Sequence, residues 1–294
     1  MSTGVIAGLF PGQGSHTEDL RERVRRVLPG LLAECVSLVG EDPFLRVGES
    51  TRFAQPAIFC ASLAGWEERP AFLRPAALAG HSLGELSALV AAGALEQSAG
   101  LALAVRRGEL MASASSGREE GMLAVLGASE EQVCQLAYEH ELVLANDNAP
   151  GQAVLAGPTA SLRDASKAAR AAGVRAILLD VAGAFHSPAM EGAVEPFRAL
   201  LEEVELRAPA IPVICASSGL PFVDVREELA NAIVRPVRWR SCMLALADLG
   251  VDTFVDFGPG EILAKLVGRN LPQARVLDLA SDPQPGITET SGVA

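Results

Sequence analysis

Residues 75–95 read PAALAGHSLGELSALVAAGAL, and the glycine-flanked serine at their centre decides the architecture. PAALA is a short apolar run and ELSALVAAGAL continues at helical spacing, so the segment predicts a strand, a tight turn carrying Ser82, and a helix. Gly80 and Gly84 flank the serine because side chains there would collide with neighbouring backbone in so strained a turn. Ser82 Oγ would then project above a sheet at a helix N-terminus, where free N–H groups and the positive dipole end favour a developing oxyanion. The backbone N–H of Leu83 is the natural first donor. As a bare pattern GHSLG is only a Gly-Ser turn; the strand before it and the helix after it make it a nucleophile elbow.

The rest of the chain repeats that alternation. Apolar runs at 4–10, 76–79, 123–126, 152–155, 177–181, 213–215 and 253–257 read as strands, and amphipathic stretches at 19–27, 55–66, 83–91, 98–113, 130–140, 160–172, 191–204 and 238–249 as helices. Such a series builds α/β units around a buried parallel sheet. Between about 121 and 184 the pattern changes to strand, helix, strand, helix, strand, a small split βαβ-type module inserted in the larger domain. The expected layout is therefore a large α/β domain over 1–120 and 186–280, a small α+β subdomain over 121–185, and a loosely ordered polar tail, SDPQPGITETSGVA, over 281–294. A cleft between the two domains is where a small ligand would sit.

Composition narrows the function. The chain has 294 residues with 24 Lys+Arg against 36 Asp+Glu, a net charge of −12, which opposes binding to phosphate backbones and anionic membranes. Aromatics are 4% of residues, too few for base-stacking platforms. Five scattered cysteines in no CxxC pair indicate neither a disulfide framework nor a zinc site. Without a signal peptide or an apolar run long enough to span a bilayer, a cytoplasmic protein with reduced thiols is the expectation.

A serine nucleophile at neutral pH needs a base, and the chain has four histidines, His16, His81, His140 and His186. His81 adjoins the nucleophile, so its side chain should diverge from that of Ser82, and His140 lies in the charged stretch YEHE. His16 and His186 both follow strands and remain competitors on composition alone. A hydrolase of the α/β class would place its histidine late in the chain, after the acid. No histidine follows 186, which favours a Ser-His dyad oriented by something other than a carboxylate.

Seven blocks then stand in a recognisable order: FPGQGSH at 10–16, GHSLGELSALVAAGAL at 80–95, RRGELM at 106–111, NDNAPGQAVLAG at 146–157, GAFHSPAM at 183–190, PVRW at 236–239 and FGPGEIL at 257–263. Over nearly its whole length the sequence resembles the malonyl-CoA:acyl carrier protein transacylases of fatty-acid synthesis and the related acyltransferase domains of polyketide synthases. The resemblance implies an α/β-hydrolase-like large domain with a ferredoxin-like insert, and Ser82 and His186 as the catalytic pair. It further implies Gln13 and Leu83 as backbone donors to the oxyanion, and the Ala232 carbonyl as the group orienting the histidine. Arg107 would clamp the free carboxylate of the malonyl group, with Met111, Asn148, Phe185 and His81 completing the substrate pocket. Phe185 matches malonyl-selective members, in which a bulky ring limits room for an α-methyl branch.

The substrates implied are malonyl-CoA and the 4'-phosphopantetheine arm of an acyl carrier protein, with no metal and no other cofactor. Two basic groupings, Arg163, Lys167 and Arg170 in one and Arg235, Arg238, Arg240, Lys265 and Arg269 in the other, are candidate contacts for an acidic carrier. A discrete acyltransferase loading polyketide modules in trans shares every one of these residues. A serine hydrolase or thioesterase shares the elbow, but Arg107, the insert and the missing late histidine weigh against it.

Overall fold

In a computed structural model that describes residues 4–279, the chain alternates strands and helices. From the N-terminus run β1 (Val5–Phe10), α1 (Leu20–Val27), α2 (Pro29–Val39), α3 (Thr51–Glu67), β2 (Ala77–Gly80), α4 (Gly84–Ala91) and α5 (Gln97–Ser115). Next come β3 (Glu120–Leu126), α6 (Glu130–Glu139), β4 (Val143–Ala149), β5 (Gln152–Pro158), α7 (Thr159–Ala171) and β6 (Arg175–Leu178). The chain continues through α8 (Glu191–Glu203), β7 (Val213–Ile214), α9 (Val225–Ala232), α10 (Trp239–Asp248), β8 (Val251–Asp256), α11 (Ile262–Asn270) and β9 (Arg275–Leu277).

Five strands form one parallel sheet in the order β7-β2-β1-β8-β9. All four residues of β2 are buried, as a strand covered by helices on both faces requires. Phe10, Trp66 and Phe257 cluster on one face of this sheet, with Phe10 and Phe257 ring centres 5.4 Å apart, while Trp239, Phe254 and Leu263 pack in the core on the other. The remaining four strands form a separate antiparallel sheet in the order β4-β5-β3-β6. With α6 and α7 this is a ferredoxin-like β-α-β-β-α-β unit, as the resemblance implies.

The insert differs from the sequence reading in one respect: it has a fourth strand, β4. VLANDNA carries two asparagines and an aspartate, residues depleted in strands, and it survives as an edge strand whose polar side chains face the neighbouring domain. Its backbone is also paired across the domain boundary, where Asp147 N–H donates to Val237 O at 2.8 Å and Val237 N–H to Ala145 O at 2.9 Å. The short strand β9 and the helices α2, α9 and α11 were likewise not predicted. The Pro-Gly pair that opens α2 reads as a turn, yet proline is well suited to a first helical position, where no N–H is needed. The 281–294 tail lies outside the described residues. Among those described, no helix is long and apolar enough to cross a membrane.

Candidate active site

The elbow is built as the glycines require. A Cβ on Gly84 would lie 1.9 Å from the Phe10 carbonyl oxygen, and one on Gly80 would lie 2.0 Å from the Gly84 carbonyl carbon, so strand and helix approach to backbone contact on both sides of the serine. Ser82 itself sits at φ 53°, in the left-handed region that a serine occupies only at a cost of about 1–3 kcal/mol. Three non-glycine residues among those described have positive φ, and His186, at 58°, is another of them. Strain therefore gathers at the two residues that meet: Ser82 Oγ lies 2.8 Å from His186 Nε2.

The imidazole is fixed from behind. His186 Nδ1–H donates to Ala232 O at 2.9 Å and shares its proton with Arg235 O at 3.1 Å, which leaves Nε2 as the acceptor facing the serine hydroxyl. Ala232 ends α9, and its carbonyl is free because the last carbonyls of a helix have no intrahelical partner. That end of the helix is also the negative end of its dipole, which favours positive charge on the ring. Burial, reinforced by the charge of Arg107, pushes the His186 pKa down to about 3, so the ring is neutral at neutral pH. His16 is exposed on the loop after β1, and His140 ends α6 in the insert; neither belongs to this group.

Arg107 comes from α5 and is 4% exposed. Gly108 lets α5 approach α3 closely, since a Cβ there would lie 2.8 Å from Thr51 O. Across that contact Arg107 Nη1 donates to Gln55 Oε1 at 2.8 Å, while Nη2 donates to Ser82 Oγ at 3.2 Å. Burial lowers its pKa to about 10, so it stays cationic at neutral pH. Its neighbour Arg106 pairs with Glu109 on the helix surface. His81 turns away from the serine: Nε2 donates to Asn148 Oδ1 at 2.9 Å and the ring packs 5.4 Å from Trp239. Burial lowers the His81 pKa, so that ring too is neutral.

Gln13, Leu83, Met111, Asn148 and Phe185 line the same cavity of about 200 Å³, with Ser82, Arg107 and His186 at its base. Its opposite wall comes from the insert, through Met122, Asn146, Val154 and Leu179. A larger recess of about 400 Å³ between α6 and α7 is walled by alanines, apolar side chains, glutamines and glutamates and holds no nucleophile. Gln55 and Arg235 are among the residues of the site that the sequence reading does not single out. Gln55 was assigned only to a helix, although an amide inside the apolar run FAQPAIF is a signal of buried polar contact. Arg235 was considered for its charge, whereas its carbonyl is what reaches His186. Of the surface cations, Lys167 pairs with Asp164, Arg240 with Glu130 and Lys265 with Glu261, so these are partly neutralised in place.

The acyl transferase domain family matches residues 42–286. Malonyl CoA-acyl carrier protein transacylase of Bacillus subtilis is 35% identical, over 95% of this chain and 94% of that protein. The chain belongs to the malonyl CoA-acyl carrier protein transacylase family of acyl transferases. It is also 39% identical to the polyketide biosynthesis protein ThaF of Burkholderia thailandensis over 95% of this chain, but spans only 25% of that longer protein. Among solved structures, the malonyl-CoA:acyl carrier protein transacylase of Xanthomonas oryzae pv. oryzae superposes with a TM-score of 0.86 at 32% identity, covering 94% of each chain. The parallel sheet, elbow and ferredoxin-like insert are thus the fold of this family.

Proposed function

We propose that the protein transfers a malonyl group from malonyl-CoA, through an ester on Ser82, to the phosphopantetheine thiol of an acyl carrier protein. The observation that carries this reading is a buried, charged guanidinium 3.2 Å from the nucleophile, in a cavity otherwise suited to a short acyl group. An arginine in so dry a site is costly unless a carboxylate meets it, and malonyl is a short acyl group that ends in one. His186 Nε2 takes the Ser82 proton as Oγ attacks the thioester carbonyl, and the N–H groups of Gln13 and Leu83 receive the oxyanion. Collapse breaks the C–S bond and expels the CoA thiol, which takes its proton from His186. The carrier thiol then gives its proton to His186, attacks the ester, and leaves as malonyl thioester while Ser82 is reprotonated. Such a sequence is ping-pong, needs no metal, and suits a cytoplasmic enzyme.

Intact mass measurement after mixing with malonyl-CoA, acetyl-CoA or methylmalonyl-CoA, followed by a phosphopantetheinylated carrier, tests this directly. The expected result is a malonyl adduct that discharges onto the carrier; an adduct discharged only to water would reinstate a hydrolase. Phe185 against the acyl group should make methylmalonyl poorer by about 10- to 200-fold, since rejection of one methyl is worth about 1–3 kcal/mol. The identity to ThaF favours a polyketide carrier as acceptor, so discharge should be faster onto a polyketide carrier than onto one from fatty-acid synthesis.

The pH profile follows from His186. Its pKa lies below the ordinary value, so the base form is present above about 3 and is lost only as pH falls through that value. Because kcat/KM reports the free enzyme, malonyl loading should stay level from about pH 8 down to about pH 5, where an imidazole of pKa about 6.5 would already have lost roughly thirtyfold. A fall centred near pH 7 would instead point to Glu85, whose carboxyl burial pushes up to about 7.

A further inference from the structure

Behind the cavity the polar groups form a chain of hydrogen bonds that runs one way. Arg107 Nη1 donates to Gln55 Oε1 at 2.8 Å, Gln55 Nε2 donates to Thr51 Oγ1 at 2.7 Å, and Thr51 Oγ1 donates to Gln13 Oε1 at 2.5 Å. Gln55 is 0% exposed and Thr51 4%, so the links up to Thr51 are sheltered from water, and the last one reaches Gln13 at the exposed rim. The second amide proton of Gln55 faces Met111 Sδ at 3.3 Å, which fixes which end of the amide meets the arginine. Since each acceptor is the next donor, the bonds polarise one another in the same sense, with their negative ends toward the guanidinium.

What the chain omits is an anion. Among the described residues Arg107 enters no ion pair, and its hydrogen-bond acceptors are an amide and a hydroxyl. The neighbouring buried carboxyl, Glu85, turns aside to accept from Ala216 N–H at 2.7 Å. The guanidinium is therefore held by neutral dipoles and keeps its charge. A glutamate at position 55 would fill nearly the same volume but would pair with Arg107 permanently, and an incoming carboxylate would then compete with a resident one.

We propose that Gln55 is a positioning residue for Arg107, holding the guanidinium with a neutral carbonyl so that its charge is left for the substrate carboxylate, and that Thr51 extends the same support to the Gln13 segment. This rests on the malonyl-transfer reading above and adds to it the device that keeps the clamp open. It also links the group that recognises the acid to the segment assigned to the oxyanion, so a substrate that seats its carboxylate correctly meets an oxyanion site held in register with it.

The test is rapid-quench loading of the full chain with malonyl-CoA and acetyl-CoA, comparing wild type, Gln55→Glu and Thr51→Val, with each variant's fold checked by thermal melting. Gln55→Glu is expected to lower malonyl loading at least about tenfold more than acetyl loading, chiefly through KM. Thr51→Val leaves the Arg107–Gln55 bond in place and loosens Gln13, so it should lower kcat for both substrates by one common factor of about threefold or more, with KM little changed. A Gln55→Glu protein that keeps the wild-type malonyl-to-acetyl ratio overturns the role of Gln55, whether both rates hold or both fall. If that variant does not fold, Gln55→Met, which removes the carbonyl that holds Arg107, must show the lowered ratio, and an unchanged ratio there is equally fatal. A malonyl-selective loss in Thr51→Val overturns the link to Gln13. Wild-type protein that takes no malonyl label at all would reject the proposed function itself, which is a different result from an unchanged ratio.

Discussion

Replacing Ser82 with alanine is expected to leave a folded protein that acquires no mass from malonyl-CoA. The substitution removes one oxygen, while the supports of the site lie elsewhere: His186 stays anchored through Nδ1 to Ala232 O and Arg235 O, and Arg107 through Nη1 to Gln55. The elbow is set by the backbone approach at Gly80 and Gly84, which alanine at 82 does not alter. What the substitution removes is the atom that the proposed mechanism acylates, and removal of a serine nucleophile elsewhere costs about 10⁶ in rate. Intact mass after incubation at saturating malonyl-CoA is the measurement. Covalent label on Ser82→Ala would exclude the serine, and its chemistry would then say where the acyl group went. Cys134 is exposed, whereas Cys35, Cys60, Cys215 and Cys242 are buried, so a stray adduct on thiol should be a hydroxylamine-sensitive thioester mapping to Cys134.

The elbow was legible because it is local: strand, turn, glycines and helix occupy adjacent residues, and one steric requirement explains all of them. The parallel sheet was legible for a similar reason, since strands buried on both faces read as uninterrupted apolar runs. β4 was not, because an edge strand whose side chains face another domain carries the polarity of a loop, and its pairing with Val237 joins residues far apart in the chain. The pairing of Ser82 with His186 shows the limit of reading residues alone. His16 and His186 could not be separated without the resemblance, because what distinguishes them is the end of a helix 46 residues downstream of His186, whose carbonyl meets Nδ1. Gln55 shows the same limit from the other side: its type and its place in an apolar run were visible, but its partner lies 52 residues away on a different helix. Backbone carbonyls are the hardest of all to foresee, since Ala232 and Arg235 act through atoms that every residue possesses.

For Arg107→Ala the expected result is a change of substrate preference, with malonyl loading lowered by about 10²–10³ and acetyl loading held or raised. The first part follows from the two parallel charge-assisted bonds a guanidinium makes with a carboxylate, worth together about 3–4 kcal/mol in a water-poor site. Without them the malonyl carboxylate must enter a buried cavity unpaired, which costs more than leaving it in water. The second part comes from the same charge acting in the opposite direction. An acetyl group offers Arg107 nothing, so in that complex the guanidinium keeps its bond to Ser82 Oγ at 3.2 Å and its charge continues to oppose a proton on His186. The bond occupies an Oγ lone pair needed for attack on the thioester, and the charge makes the imidazole a poorer proton acceptor. Malonyl relieves both, because its carboxylate draws the guanidinium toward itself and offsets its charge; removing the arginine relieves them for acetyl instead. The decisive quantity is therefore the ratio of malonyl to acetyl loading rates at one pH, measured for wild type and variant by rapid-quench intact mass. Equal loss with both substrates would mean that Arg107 supports the elbow and recognises nothing. A ratio that falls by two or more orders of magnitude while acetyl loading survives would identify the arginine as the element that recognises the acid and, through the same charge, holds the nucleophile back until the acid arrives.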